Sequence, residues 1–232
     1  MLEEGALFSL GSPKEGLYAV QYSGKPLWLY ARDDCSVENL RGSFSACLDK
    51  KNDISGLVST GWAAEVCSDL CPPITASWEI AAFYLPFLPD LKHIAKGRLI
   101  FPSLEDATII DGWIKEFYRE ALSSEFNATG KFAIALIKGK KLYGLEVEGL
   151  GLAAMGMVIP VNADMGRLNL IYCPPSYRGR GFGKDIVAAL AAKLQDWNQL
   201  PVLYARVENK IVMDMYKSLG FVEAGRLLEL RF

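Results

Sequence analysis

Three glycines and three basic residues follow one another between Arg178 and Lys184, a pattern typical of a phosphate-binding turn. Glycine permits positive φ and has no Cβ, so successive backbone N–H groups can point toward one anion. We therefore predict a phosphate or pyrophosphate site whose principal ligands are backbone N–H groups, with side-chain charge secondary. The predicted residues are Arg178, Gly179, Arg180, Gly181, Phe182, Gly183 and Lys184. Close helix–sheet packing is the alternative explanation for the glycines.

The elements around this turn are a strand and a helix. Leu168–Cys173 is an apolar run that stops at Pro174-Pro175, which lack N–H donors. Residues 183–197 then place apolar side chains on one helical face, and a helix beginning in the turn would add its own N–H groups. Neither the dinucleotide pattern nor Walker A fits, because the first needs glycine at Lys184 and the second Ser or Thr at Asp185.

The pattern R-G-x-G-x-G preceded by P-S-Y resembles the acyl-CoA pyrophosphate loop of the GCN5-related N-acetyltransferases. The sequence that follows is similar to that family as well: a strand over 201–207, a short helix over 209–219 and a last strand over 226–232. Asn209, Tyr216 and Gly220-Phe221 resemble the family's second motif, N…Y…GF. Gly220 is also expected to end the short helix.

The resemblance implies acetyl-CoA as co-substrate. It assigns main-chain contacts with the pantetheine arm to Ile171, Tyr172 and Cys173, where two parallel strands separate in the family. Asn209 would contact the CoA arm, with helix N-capping as its competing role. Tyr216 would be the general acid that protonates the departing thiolate, although an aromatic residue on an amphipathic helix is more often core.

The general base is less well determined. Glu146 is the candidate because it alternates with Leu145 and Val147 on a predicted strand and would face a cleft; Glu148 has the same parity. An exposed strand carboxylate or a chain of water molecules explains the pattern equally well. Cys173 has no histidine nearby in sequence to activate it, so we expect direct transfer to the amine.

The segment from Arg98 to Ala121, RLIFPSLEDATIIDGWIKEFYREA, resembles the first strand and helix of the C-terminal domain in two-domain, FR47-like acetyltransferases. In that group the N-terminal half is a degenerate copy of the fold. The resemblance implies an α/β (α+β) protein with tandem acetyltransferase-like domains and a mixed central sheet flanked by helices. The predicted domains are 1–95 and 96–232, with a linker at 89–97 that contains His93, the single histidine.

Periodicity predicts the remaining elements. Ser36 is the expected N-cap of the first helix and Ser103 that of the third. The expected strands are 17–22, 27–31, 78–88, 98–101, 131–137, 141–147 and 152–161, and the expected helices are 36–48, 62–70 and 103–122. A turn at 23–26 joins the first two strands.

Composition limits the partners. The net charge is −2 and the pI about 5.6, so we expect no nucleic acid and no anionic membrane as partner. Five cysteines without a disulfide rhythm, an acidic start and no long apolar segment predict a cytoplasmic protein with reduced thiols. Cys67 and Cys71 are one helical turn apart, but nothing completes a zinc site, so no metal is expected.

These observations predict an N-acetyltransferase that moves an acetyl group from acetyl-CoA to a primary amine of a small molecule or peptide by direct attack. One alternative is a non-catalytic acyl-CoA sensor or interaction protein. The other is an N-acyltransferase that uses a longer acyl-CoA, as glycine N-acyltransferases do. The sequence is compatible with a monomer or a homodimer and does not identify the acceptor.

Overall fold

The computed structural model describes residues 8–12, 16–21, 26–50, 54–87, 97–124, 126 and 130–232. The chain divides into two compact units, each assembled from segments that are separate in sequence. Unit 1 contains Met1–Ala82, Ala205–Glu208 and Gly225–Phe232; unit 2 contains Phe83–Tyr204 and Asn209–Ala224. Residues 88–96, which include His93 and most of the expected linker, lie outside the described residues. The domain boundary at 95/96 stays a prediction.

The described residues form both strands and helices, interspersed along the chain. The strands are β1 Phe8–Ser12, β2 Leu17–Gln21, β3 Leu27–Ala31, β4 Gly56–Ser59, β5 Ala76–Tyr84, β6 Arg98–Ile100, β7 Leu142–Val147, β8 Gly151–Pro160, β9 Met165–Tyr172, β10 Leu200–Arg206 and β11 Val222–Arg231. The helices are α1 Val37–Lys50, α2 Gly61–Cys67, α3 Ala107–Leu122, α4 Lys131–Lys138, α5 Phe182–Asp196 and α6 Lys210–Ser218. The predicted α/β class is confirmed.

The sheet of unit 1 is mixed. β1, β2 and β3 pair antiparallel in chain order, and β4 lies parallel to β3 after a crossover through α1. β11 pairs antiparallel with β4, with Leu230 opposite Leu57. Ser36 Oγ accepts a hydrogen bond from Asn39 N at 3.2 Å, so the expected cap of α1 is confirmed. Most of β11, which is near the end of the chain, therefore belongs to unit 1, as β1 does.

The sheet of unit 2 positions the glycine turn. β6, β7, β8 and β9 pair antiparallel in that order, and β10 lies parallel to β9. The connection from β9 to β10 is the glycine turn followed by α5, so the turn lies at the carboxyl end of β9. A parallel pair of strands requires such a crossover. The crossover places the start of α5 beside the carboxyl end of β9.

Helices cover the unit 2 sheet through apolar faces. α3 and α4 share a buried cluster with β7, β8 and β9: Ile110, Trp113, Ile114, Ala133, Leu136, Ile137, Leu142, Met155, Met157, Leu170 and Tyr172. α5 packs closely on β8, because a Cβ at Gly156 would lie only 2.7 Å from Leu190 Cδ1. Ser103 precedes α3 and forms a capping box with Asp106, as expected for the N-cap.

One predicted strand is wrong. Residues 131–137 form most of α4. The apolar run FAIALI fits either period, but Ala133, Leu136 and Ile137 are buried at helical spacing, while Ile134 is exposed. Packing against α3 therefore decides for the helix. β1 and β4 were not predicted, and the expected turn at 23–26 lies outside the described residues except for Pro26.

Candidate functional site

The glycine turn has the conformation of an anion-binding loop. A short 3₁₀ turn, Pro175–Tyr177, follows β9, and then Gly179 and Gly181 adopt φ of 77° and 92°. Gly181 is the N-cap of α5, whose first backbone bond runs from Asp185 N to Gly181 O at 2.9 Å. A Cβ at Gly179 or Gly181 would meet no heavy atom within 4 Å. The turn is therefore open and fits a phosphate group at the start of a 15-residue helix.

A backbone irregularity lies in β9 just before this turn. Leu170 has φ of 52°, and its N–H donates to Asn169 Oδ1 at 2.8 Å. The β8–β9 register shifts between Met155 and Met157, opposite this point. A non-glycine residue in the left-handed region is costly and is found preferentially at functional sites. The irregularity is a β-bulge, which bends the end of β9.

β9 and β10 pair over only part of their length. The parallel register joins Met165–Arg167 of β9 to Leu200–Val202 of β10, whereas β9 continues to Tyr172. The strands therefore diverge toward the glycine turn and leave a gap. Ile171, Tyr172 and Cys173 lie along this gap, beyond the β9–β10 pairing, where an extended ligand arm can bond to main chain as an added strand does. The residues present fit the pantetheine arm of CoA.

The Arg178 side chain contacts the end of β9 and helix α3. Its Nε donates to the Cys173 carbonyl at 2.9 Å, and Nη2 lies 2.6 Å from Glu120 Oε2 on α3. Its guanidinium also lies 5.6 Å from the centre of the Tyr172 ring. The structure thus places Arg178 beside the turn with its charge paired.

The two other basic residues flank the turn. The exposed guanidinium of Arg180 lies 5.9 Å from the centre of the Tyr177 ring. Lys184 is in the first turn of α5, and Phe182 is buried beneath the loop and packs edge-on against Tyr177. These positions favour an anion over the loop, although the backbone donors are the fixed part of it.

Tyr216 lies in a buried aromatic cluster. Its ring centre is 6.0 Å from that of Phe83 and 5.8 Å from that of Phe221, and the residue is 5% exposed. Burial raises the pKa of Tyr216 well above its ordinary value. The phenol is therefore neutral at any physiological pH and holds the proton that a general acid needs. These are also the contacts of a core residue, so the catalytic role stays a prediction.

We expect Tyr216 to make the fold sensitive to alkali. Because the folded-state pKa is raised, its stabilising contribution is complete below the ordinary tyrosine pKa of about 10 and decreases as pH rises above it. Between pH 10 and pH 11 the unfolding free energy of the wild type should fall by about 1 kcal/mol more than that of Tyr216→Phe, because the variant has no phenol at this position to ionise on unfolding. Urea unfolding of both proteins at pH 8, 10 and 11 measures this difference. Equal losses in both would show that Tyr216 titrates normally in the fold.

Asn209 caps α6, since its side chain accepts a hydrogen bond from Val212 N at 3.2 Å. α6 lies next to the glycine turn, because a Cβ at Gly183 would be 3.9 Å from both Met215 Sδ and Cys173 Cβ. The expected glycine end of α6 is confirmed by Gly220, with φ of 90°. The capping role of Asn209 is thus observed, and its contact with the CoA arm stays a prediction.

Glu146 is not adjacent to the glycine turn. Strand register places it two strands from Tyr172 and two residues further along, a Cα separation of about 12 Å. Its carboxylate pairs with Arg98 at 2.7 Å and lines an open depression with Glu148. A proton that travels from the end of β9 to Glu146 would need water molecules between them.

The Cys173 thiol is half-buried at the end of β9. Burial is the main influence on its pKa and raises it, while Arg178 and the Gly183 backbone N–H act in the opposite direction. The thiol therefore stays protonated near neutral pH, which is unfavourable for a nucleophile. This agrees with direct transfer.

Potential metal ligands are dispersed in the described part of the chain. Among those residues, His, Cys, Asp and Glu form no group of three or more that could hold a metal ion. The described helices also include none that is long and apolar enough to cross a membrane.

Solved structures of GCN5-related N-acetyltransferases have a fold similar to that of this chain. An acetyltransferase of this family from Colwellia psychrerythraea is 16% identical, with 97% of this chain and 84% of that chain covered and a TM-score of 0.61. A GCN5-related N-acetyltransferase from Kribbella flavida is 11% identical, with 93% of this chain and 86% of that chain covered and a TM-score of 0.64. One from Sphaerobacter thermophilus is also 11% identical, with 94% of this chain and 76% of that chain covered and a TM-score of 0.61.

Residues 143–228 match the family model described as FR47-like protein. The matched range includes the gap between β9 and β10, the glycine turn and α6. No curated protein matches the sequence.

Sequence reasoning missed two residues of the site. Leu170 forms the bulge, and the signal for it was Asn169, a polar residue within the apolar run LNLIYC. Glu120 pairs with Arg178 across 58 residues. No local pattern marks such a pair, because it depends on how α3 packs beside β9.

Proposed function

We propose that this protein transfers an acetyl group from acetyl-CoA to a primary amine of a small molecule or peptide. The observation that carries the proposal is the open turn formed by Gly179 and Gly181, placed between the diverging end of β9 and the start of α5. Backbone N–H groups of Gly179–Lys184 bind the pyrophosphate. The main chain of Ile171–Cys173 holds the pantetheine arm, and Asn209 contacts it from α6.

The proposed reaction is a direct acyl transfer. The neutral amine attacks the thioester carbonyl carbon and forms the new C–N bond, after which the C–S bond breaks. Tyr216 donates its proton to the departing thiolate and regains one from solvent. The proton lost by the amine passes through water to Glu146. No covalent intermediate forms on Cys173.

The support for Tyr216 is its neutral, buried phenol and its place in the N…Y…GF motif. The support for Glu146 is its place in the open depression, and water molecules bridge the separation of about 12 Å from Tyr172. The cytoplasm stays the proposed compartment on the sequence argument alone.

Calorimetric titration of the full chain tests the proposal. The titrants are acetyl-CoA and CoA, with NADH and ATP as controls. We expect both CoA compounds to bind at least tenfold more tightly than either control, because only CoA has an arm that fills the gap beside β9. Equal binding of all four, or no binding, would refute the acyl-CoA site.

Turnover separates the remaining functions. Acetyl-CoA and longer acyl-CoAs are each incubated with a panel of amines, and released thiol is measured. Turnover with acetyl-CoA supports the proposal, whereas a preference for a longer chain favours the acyltransferase alternative. Tight CoA binding without turnover on any amine favours the sensor.

A further inference from the structure

Glu120 and Arg178 connect helix α3 to the end of β9. Arg178 makes three contacts with distinct geometry: an ion pair with Glu120, a hydrogen bond to the Cys173 carbonyl and an approach to the Tyr172 ring. A guanidinium is planar and directs its N–H groups in a fixed fork. Two different acceptors on that fork therefore determine how the side chain is oriented.

The ion pair is partly shielded from solvent. The Glu120 side chain is 30% exposed and that of Arg178 is 47% exposed. Glu120 Oε1 also lies 3.4 Å from the Tyr172 hydroxyl, and its charge contributes to the raised pKa of that phenol, behind burial. Arg119 Nη2 also lies 3.8 Å from Glu120 Oε1, so five groups form one network, which couples more strongly than an isolated surface pair.

The network holds the segment that leads into the glycine turn. Cys173 is the residue after β9, and Arg178 is the residue before Gly179. The bond between the Arg178 side chain and the Cys173 carbonyl closes the segment between them, which contains Pro174, Pro175 and the 3₁₀ turn. The direction in which the chain enters the glycine turn is set by this closure.

We propose that Glu120 is a positioning residue for acyl-CoA binding, which holds Arg178 across the end of β9 and thereby fixes the backbone N–H groups of the glycine turn. This inference rests on the proposed function. Arg178 then acts as a structural bracket, and its guanidinium does not serve as a phosphate ligand. The phosphate charge meets the backbone donors and the start of α5.

A competing arrangement makes the opposite prediction. If Arg178 bound the phosphate, Glu120 would compete with the ligand for the same cation, and its removal would strengthen CoA binding. In the bracket arrangement its removal weakens CoA binding. The sign of the effect therefore distinguishes the two arrangements.

The test is a double-mutant cycle on CoA binding, measured by calorimetry with the full chain. The variants are Glu120→Gln, Arg178→Gln and the double variant, and Arg178→Lys keeps the charge without the planar fork. We expect each single variant to weaken CoA binding about tenfold and the double variant to be no weaker than Arg178→Gln alone. Arg178→Lys should resemble Arg178→Gln.

The matched control is Glu79→Gln. Glu79 also pairs with an arginine, Arg226 at 3.0 Å, and belongs to unit 1. We expect its CoA affinity to equal that of the wild type, and thermal unfolding of every variant shows whether the fold is kept. If the variants changed only the stability of the fold, the unfolding temperature would shift, but the double-mutant cycle on CoA affinity would show no coupling between Glu120 and Arg178.

Several results would overturn the inference. Glu120→Gln with unchanged or tighter CoA binding would do so, as would full affinity in Arg178→Lys or additive losses in the double variant. A wild type that binds no CoA would instead remove the proposed function and this inference with it. If Glu120→Gln does not fold, folded Arg178→Lys decides whether Arg178 acts by holding the backbone in place or by supplying charge to the phosphate.

Discussion

Replacing Gly181 with valine is expected to weaken CoA binding by at least about 100-fold while the protein remains folded. Gly181 has φ of 92°, a conformation in which a β-branched residue is strained by about 1–3 kcal/mol. A Cβ there would meet no heavy atom within 4 Å, so the added side chain itself has room. The backbone relieves the strain by rotating, and the N–H groups of the turn then point away from the phosphate. Loss of two charge-assisted hydrogen bonds accounts for the expected factor.

Gly149→Val is the matched control for this experiment. Gly149 also has positive φ, 73°, and a Cβ there would also meet nothing within 4 Å, but it lies in the turn between β7 and β8. The strain is therefore similar, and CoA affinity should be unchanged. Calorimetry with CoA and circular dichroism of both variants give the comparison. A folded Gly181→Val protein with wild-type affinity would show that the turn does not bind the pyrophosphate.

Replacing Tyr216 with phenylalanine is expected to lower kcat about 100-fold with little change in the KM for acetyl-CoA. General acid catalysis typically accelerates a reaction by about 100-fold or more. The lower end of that range is expected here, because a thiol with an ordinary pKa of about 8.5 is already a fairly good leaving group as the thiolate. The ring is kept, so its packing against Phe83 and Phe221 is retained. Steady-state kinetics with an acceptor found in the amine screen measure both constants.

Tyr143→Phe is the control for this prediction. Tyr143 is 6% exposed, and burial raises the pKa of its phenol as it does for Tyr216. It lies in β7 and packs against Phe101, and β8 separates β7 from β9, so the loss of its hydroxyl should leave kcat unchanged. An unaltered kcat in Tyr216→Phe would identify Tyr216 as a core residue only.

The elements that position the site were predictable because local rules agree at each of them. Pro174-Pro175 ends a strand, three glycines open a helix, and Gly220 closes another, and each residue acts through its own backbone. α4 was mistaken for a strand because a short apolar run contains no local information about the helix that it packs against. The bulge at Leu170 had Asn169 as its local signal. The pairing of Glu120 with Arg178 depends on contacts distant in sequence, so no local pattern contains it.

The membership of β11 in unit 1 has a consequence for the order of folding during synthesis. β4 pairs with β11, and the cluster that includes Leu57 also includes Leu230, so unit 1 lacks a strand and part of its core until residues 225–231 have left the ribosome. Domains usually fold in the order in which they are translated. Here the edge of β4 stays open while unit 2 is made, and an open strand edge is a template for aggregation. A chain that stalls after α6 should therefore depend on chaperones, even though its glycine turn is already complete.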